Sequence, residues 1–164
     1  QLLWQTGKSF EHEARELVNS TGTKGFTAAA FVDRMDLAYT AADVVISRAG
    51  AMAIAELSAA GKACILVPSP NVTEDHQTKN AQAMVDQGAA IMVKDAEAGE
   101  RLISTLLQLM NDETGRSRLM KNIHGLARPD AALDIARLAV ELIESRKHNK
   151  TSPHRREGTI INLA

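Results

Sequence analysis

Two short runs hold the side chains able to do chemistry: Arg48-Ala49-Gly50-Ala51-Met52-Ala53-Ile54-Ala55-Glu56 and His76-Gln77-Thr78-Lys79-Asn80. In the first, Gly50 and Ala51 leave room for close approach to the backbone, and Arg48 offers a cationic fork suited to phosphate. Glu56 follows Met52 by four residues and so shares its helical face, where a carboxylate can accept both hydroxyls of a ribose. In the second run, Gln77 and Asn80 are three apart on one helical face and present amide donors and acceptors suited to sugar hydroxyls, with His76 beside them. The combination fits an anionic ligand that carries sugars. The same residues also have a purely structural reading, with Gly50 a turn, Glu56 a solvated helix position and His76 a capping or surface side chain.

The first run is positioned by a change of pattern. An apolar, β-branched stretch at residues 44–46 passes through a turn at 47–50 into a helix of small residues and good helix formers at 51–60. In an open α/β sheet such a loop leaves the carboxyl end of a strand, and the next helix aims unpaired N–H groups and a partial positive charge at whatever binds there. The second run follows a strand at 63–67 and a loop bearing Pro68 and Pro70, so in a parallel sheet it opens on the same edge. Further strands are expected at 2–4, 26–32 and 90–93, and further helices at 10–19, 33–41 (capped by Asp33), 74–87, 96–110, 114–126 and 130–146. This alternation implies an α/β fold, a Rossmann-like parallel sheet flanked by helices and closed by a helical C-terminal segment. The strand at 2–4 reads as already under way, so the chain is expected to begin inside a larger protein. Residues 147–164 place Lys150, His154, Arg155 and Arg156 among polar residues, and read as a flexible tail or appended extension, or as a basic membrane-surface anchor.

Composition narrows the classes. With 164 residues, 45% hydrophobic and 24% charged, the chain has the make-up of one soluble globular domain, and a net charge of −1 gives no pull toward nucleic acid. No stretch approaches the ~20 apolar residues of a membrane span, and the start lacks a signal peptide, which points to the cytoplasm. The single cysteine, Cys64, lies in an apolar run and excludes an internal disulfide. The histidines show no metal-ligand spacing, and neither a GxSxG elbow, a GxGxxG fingerprint nor a phosphate-binding GxxxxGK[ST] loop is present. A nucleotide sugar remains the better candidate ligand.

The run Ala42-Asp43-Val44-Val45-Ile46-Ser47-Arg48-Ala49-Gly50-Ala51-Met52-Ala53-Ile54-Ala55-Glu56, with Pro68 and the later His76-Gln77-Thr78-Lys79-Asn80-Ala81, resembles the MurG family within glycosyltransferase family 28. The resemblance covers about residues 3–146. It implies the GT-B fold, two Rossmann-like domains across a cleft, with residues 1–146 as the C-terminal, UDP-sugar-binding domain without its first strand and glycine-rich loop. It further implies inverting transfer of N-acetylglucosamine from UDP-N-acetylglucosamine to undecaprenyl-linked lipid I, forming lipid II in peptidoglycan synthesis. The protein would be peripheral on the inner face of the cell membrane, and would need no cofactor and no metal. By the same resemblance, the backbone of Val32 contacts uracil, Arg48 lies near the phosphates, and the backbone of Ala51, Met52 and Ala53 holds the diphosphate. Glu56 holds the ribose, Gln77 and Asn80 address the N-acetylglucosamine hydroxyls, and His76 and Gly50 are further candidates. Ala49, Met52 and Ala53 stand where many relatives carry Ser, Leu and Thr, which leaves backbone contacts there rather than hydroxyl ones. Catalytic residues and the lipid I surface are expected in the N-terminal domain, outside this chain, so the chain alone is expected to be inactive. Two other classes share such a pocket: an isomerase like the UDP-N-acetylglucosamine 2-epimerases, and a non-catalytic donor-binding subunit.

Overall fold

The computed structural model describes residues 1–70 and 75–150, with side chains to residue 146. The readings made on Asn71, Glu74 and residues 151–164 lie outside the described residues. The chain divides into two compact units, Gln1–Ala127 and Arg128–Ala164.

The first unit alternates strand and helix: β1 (Leu2–Gln5), α1 (Glu11–Thr21), β2 (Phe26–Ala29), α2 (Met35–Ala41), β3 (Val45–Ser47), α3 (Ala51–Ala60), β4 (Cys64–Leu66), α4 (His76–Asp86), β5 (Ile91–Met92), a 3-10 turn at Asp95–Glu97, α5 (Ala98–Asn111) and α6 (Glu113–Gly125). Every strand pairing is parallel. β1 pairs with β2 in the register Leu2 to Phe26, and β4 lies between β3 and β5 in the registers Val45 to Cys64 and Ile65 to Ile91. The strands thus form two sheets, β1-β2 and β3-β4-β5, and among the described residues neither β1 nor β3 has a second neighbour. Leu3 of β1 is 50% exposed and Ile46 of β3 is 38% exposed, unusual values for strands this apolar.

The core lies on both faces of β4, because successive strand side chains point to opposite sides. Cys64 and Leu66 pack on one face with Ala49, Leu57, Ala81, Met84 and Ile123, while Ile65 packs on the other with Ala63, Val67, Val93, Leu109 and Leu119. All three β4 residues are fully buried, as expected of a strand sandwiched between helical layers. α3 ends where Gly61 adopts a left-handed conformation (φ 61°, ψ 40°) that a side chain would strain, and its N–H returns to Leu57 and Ser58.

Several expected boundaries move. β2 stops at Ala29 rather than 32, so Val32 lies in the loop before α2. α2 starts at Met35 after Arg34, and Asp33 does not cap it. α6 begins one residue early, at Glu113, because Asp112 accepts a hydrogen bond from the N–H of Gly115 (2.8 Å) and caps the helix. The first turn expected of the helix at 96–110 is instead the 3-10 turn before α5. In the second unit, α7 (Ala131–Lys150) runs past residue 146, since no glycine or proline interrupts it, and its side chains at 131–146 are all exposed.

Candidate functional site

The start of α3 is an unfilled set of donors. Gly50 precedes it in an extended conformation (φ −69°, ψ 147°) with no side-chain cap, and the first bond within the helix runs from the N–H of Ile54 to the carbonyl of Gly50 (3.0 Å). The N–H groups of Ala51, Met52 and Ala53 therefore have no acceptor in their own helix, and among the described residues they find none elsewhere. No acidic side chain occupies the first turn to offset the partial positive charge. A Cβ added at Gly50 would meet nothing within 4 Å, so the space over these donors is open. The backbone angles of Gly50 are available to any residue, and the missing side chain supplies room rather than an unusual turn.

Arg48 leaves the end of β3 and turns toward β4. One guanidinium nitrogen donates to the carbonyl of Val67 (3.2 Å), and the same nitrogen pairs with the carboxylate of Asp95. The expected phosphate fork is thus partly engaged by the protein, and Arg48 ties the carboxyl ends of β3 and β4 to the turn before α5.

α4 grips the loop between β3 and α3. The side-chain oxygen of Gln77 accepts from the N–H of Ala49 (3.2 Å) and from the N–H of Ser69 (3.0 Å), and the Asn80 amide donates to the carbonyl of Ala49 (3.2 Å). Ala49 is fully buried, and both of its backbone polar groups are satisfied by these two side chains in place of a strand neighbour. A sugar can then meet only the amide nitrogen of Gln77 and the amide oxygen of Asn80 without breaking the clamp. His76 is exposed at the first turn of α4, following Asp75, whose φ of 56° is left-handed.

Glu56 is exposed on the same face of α3 as Met52, which is 74% exposed. It accepts a hydrogen bond from the hydroxyl of Tyr39 on α2 (Oη to Oε2, 3.0 Å). Burial pushes the Tyr39 phenol up to about 12, helped by the bond to Glu56 and by its charge. Val32 stands apart: its N–H donates to the side-chain oxygen of Gln5 (2.9 Å), so its carbonyl is the backbone group left for a base. No hydrogen bond links Val32 to the α3 group among the described residues.

The structure joins Arg48, Gln77 and Asn80 through the backbone of one loop and sets Ala51, Met52, Ala53 and Glu56 on the helix that this loop starts. Sequence reasoning missed Tyr39, Asp95 and Gln5, because each acts across 17 to 47 residues that no local pattern links, and Ser69, whose role is a backbone N–H that its side chain does not advertise. Among the described residues no three His, Cys, Asp or Glu side chains converge as a metal cluster would. Such an arrangement can hold a diphosphate on backbone donors, accept hydroxyls at a carboxylate one turn further on, and offer amides from a facing helix.

Residues 1–135 match the model of the glycosyltransferase family 28 C-terminal domain. The chain is 50% identical over 145 residues to a Cytophaga hutchinsonii protein named UDP-N-acetylglucosamine--N-acetylmuramyl-(pentapeptide) pyrophosphoryl-undecaprenol N-acetylglucosamine transferase, covering 88% of this chain and 38% of that one. A Porphyromonas gingivalis protein of the same name is 48% identical over 147 residues, covering 89% and 38%. The crystal structure of Acinetobacter baumannii MurG superimposes with a TM-score of 0.74 at 26% identity, covering 83% of this chain and 40% of that one. The chain thus spans about two fifths of the length of the relatives it matches.

Proposed function

This chain belongs to the glycosyltransferase family 28 C-terminal domain family, and from that premise we propose that it is the donor-binding part of a hexosyltransferase. The enzyme would be of GT-B architecture and would transfer N-acetylglucosamine from UDP-N-acetylglucosamine to lipid I, giving lipid II. The observation that carries this reading is the start of α3, where three adjacent N–H groups lack acceptors among the described residues beneath the open space at Gly50. They would hold the diphosphate; the Val32 carbonyl would meet the uracil imide, Glu56 the ribose, and Gln77 and Asn80 the transferred sugar. The relatives named as transferases favour this reading over an isomerase.

In the reaction, the acceptor hydroxyl attacks the anomeric carbon, the bond from that carbon to the β-phosphate oxygen breaks, and UDP departs with the bonding pair. This chain would stabilise the charge growing on UDP with preorganised donors, an electrostatic contribution that is commonly the largest in such catalysis. The acceptor surface, the base that takes the hydroxyl proton, and a first strand with its glycine-rich loop would come from polypeptide outside this chain. The open edges of β1 and β3 support that placement, because doubly wound sheets in the order 3-2-1-4-5-6 seat strand 1 between strands 2 and 4. Among the described residues no helix is long and apolar enough to cross a membrane, and the enzyme would act from the cytoplasmic surface of the membrane as a peripheral protein.

The test is calorimetric titration of UDP, UDP-N-acetylglucosamine and UDP-glucose into the full-length protein and its Glu56→Ala variant. Binding of UDP that weakens by ~1.5–3 kcal/mol in the variant supports the reading. Unchanged affinity for UDP would remove Glu56 from the site, and no binding of UDP at all would end the proposal.

A further inference from the structure

We propose that Tyr39 is a positioning residue for the donor nucleotide, holding the Glu56 carboxylate in the orientation that receives the vicinal hydroxyls of the ribose. The inference rests on the reading of Glu56 given above. Tyr39 reaches Glu56 across 17 residues of sequence, from α2 to α3, and its hydroxyl donates to Oε2 at 3.0 Å. Among the described residues Glu56 has no other hydrogen-bond partner and no ion pair, so this hydroxyl alone fixes the plane of an exposed carboxylate. A carboxylate offers about four acceptor positions on its two oxygens. One taken by Tyr39 leaves Oε1 and the remaining lone pair of Oε2, an arrangement that matches two adjacent hydroxyl donors. An unrestrained glutamate would have to give up rotamer freedom on binding, whereas one already held does not.

Two features separate this contact from a packing role. The Tyr39 ring packs against the buried cluster that contains Leu57, Cys64 and Leu66, so its position does not depend on the hydroxyl. The end of α2 is tied down independently, by Lys62, whose ammonium donates to the carbonyls of Thr40 (3.2 Å) and Ala42 (3.0 Å). Removing the hydroxyl therefore leaves the ring and the helix in place and frees only Glu56. The phenol keeps its proton to about pH 12 and donates throughout the working range.

Tyr39→Phe in the full-length protein tests this, with UDP and 2′,3′-dideoxy-UDP as the probes and melting temperature as the check on folding. The expected result is an unchanged melting temperature and a loss of UDP affinity of about 3- to 10-fold, the size of one net hydrogen bond. The loss is expected to disappear with dideoxy-UDP and when Glu56 is already Ala. In turnover, the donor KM is expected to rise with kcat held. Equal weakening of UDP and dideoxy-UDP would make the contact structural and overturn the proposal. So would unchanged UDP affinity in Tyr39→Phe where Glu56→Ala weakens UDP. If Glu56→Ala itself leaves UDP affinity unchanged, the ribose reading fails first and takes this inference with it. Should Tyr39→Phe fold poorly, Tyr39→Leu replaces it with the same two probes, since an apolar side chain suits the cluster the ring packs against. UDP affinity that falls in Tyr39→Leu while dideoxy-UDP affinity holds supports the proposal, and affinities equal to those of wild type overturn it.

Discussion

Replacing Gln77 with Leu would strip two backbone N–H groups of their acceptor while preserving the bulk of the side chain. The Ala49 N–H sits in a fully buried residue, held at 3.2 Å, and the Ser69 N–H, at 3.0 Å, in a half-buried one. An orphaned buried donor costs about 1–3 kcal/mol, and the part-exposed one less because water can replace the lost partner, so the expected destabilisation is about 2–4 kcal/mol. Gln77→Glu keeps the one oxygen that accepts from both N–H groups and is expected to lie within about 1 kcal/mol of the parent, with only the amide nitrogen lost. Chemical denaturation reads both variants as shifts in midpoint at constant m-value, and amide hydrogen exchange reads the site directly through the protection of Ala49 and Ser69. The two variants then separate the tasks of one side chain: Leu loses the clamp, whereas Glu loses only the donor left for a sugar. A Leu variant within 0.5 kcal/mol of the parent, a roughly neutral change on the usual scale, with both amides still protected, would refute the clamp.

Three further outcomes follow from the same geometry. Gly50→Ala is expected to leave stability nearly unchanged, since the added methyl meets no protein atom, yet to lower UDP affinity in titration by intruding over the α3 donors. Cys64, fully buried and with its thiol pushed up to about 12 by burial, would be thiolate in about one part in ten thousand at pH 8; maleimide labelling of the native protein should be negligible and should track unfolding in denaturant. Because the Tyr39 phenol binds its proton more tightly when folded than at its ordinary value near 10, its contribution to stability is complete below pH 10 and is lost as pH rises toward 12. The parent and Tyr39→Phe should therefore be equally stable from pH 7 to 9, and the parent should lose stability relative to the variant above pH 10, read from denaturation midpoints.

The strands and helices that position the site were legible because their patterns are local. Residues 44–46 and 63–67 are short apolar runs, and the helix at 51–60 is read to the residue, since Gly50 and Gly61 bracket it. The start of α3 was legible for the same reason, as its donors follow from helix geometry alone. What the pattern could not show is where long side chains turn. Arg48 finds Asp95 across 47 residues, Asn80 finds Ala49 across 31, and Tyr39 finds Glu56 across 17, and each pairing depends on how strands and helices stack rather than on spacing. β2 ends early because the backbone at Val32 bonds to the Gln5 side chain instead of to a neighbouring strand, a choice made by tertiary contact over β propensity.

The divided sheet has a consequence for handling the molecule. Among the described residues β1 and β3 each present an edge with no second strand beside it, next to exposed Leu3 and Ile46, and neither strand contains the proline or charge that keeps such edges from recruiting foreign chains. Left uncovered, such edges favour self-association as concentration rises, and a short peptide that pairs parallel to them in trans is expected to suppress it.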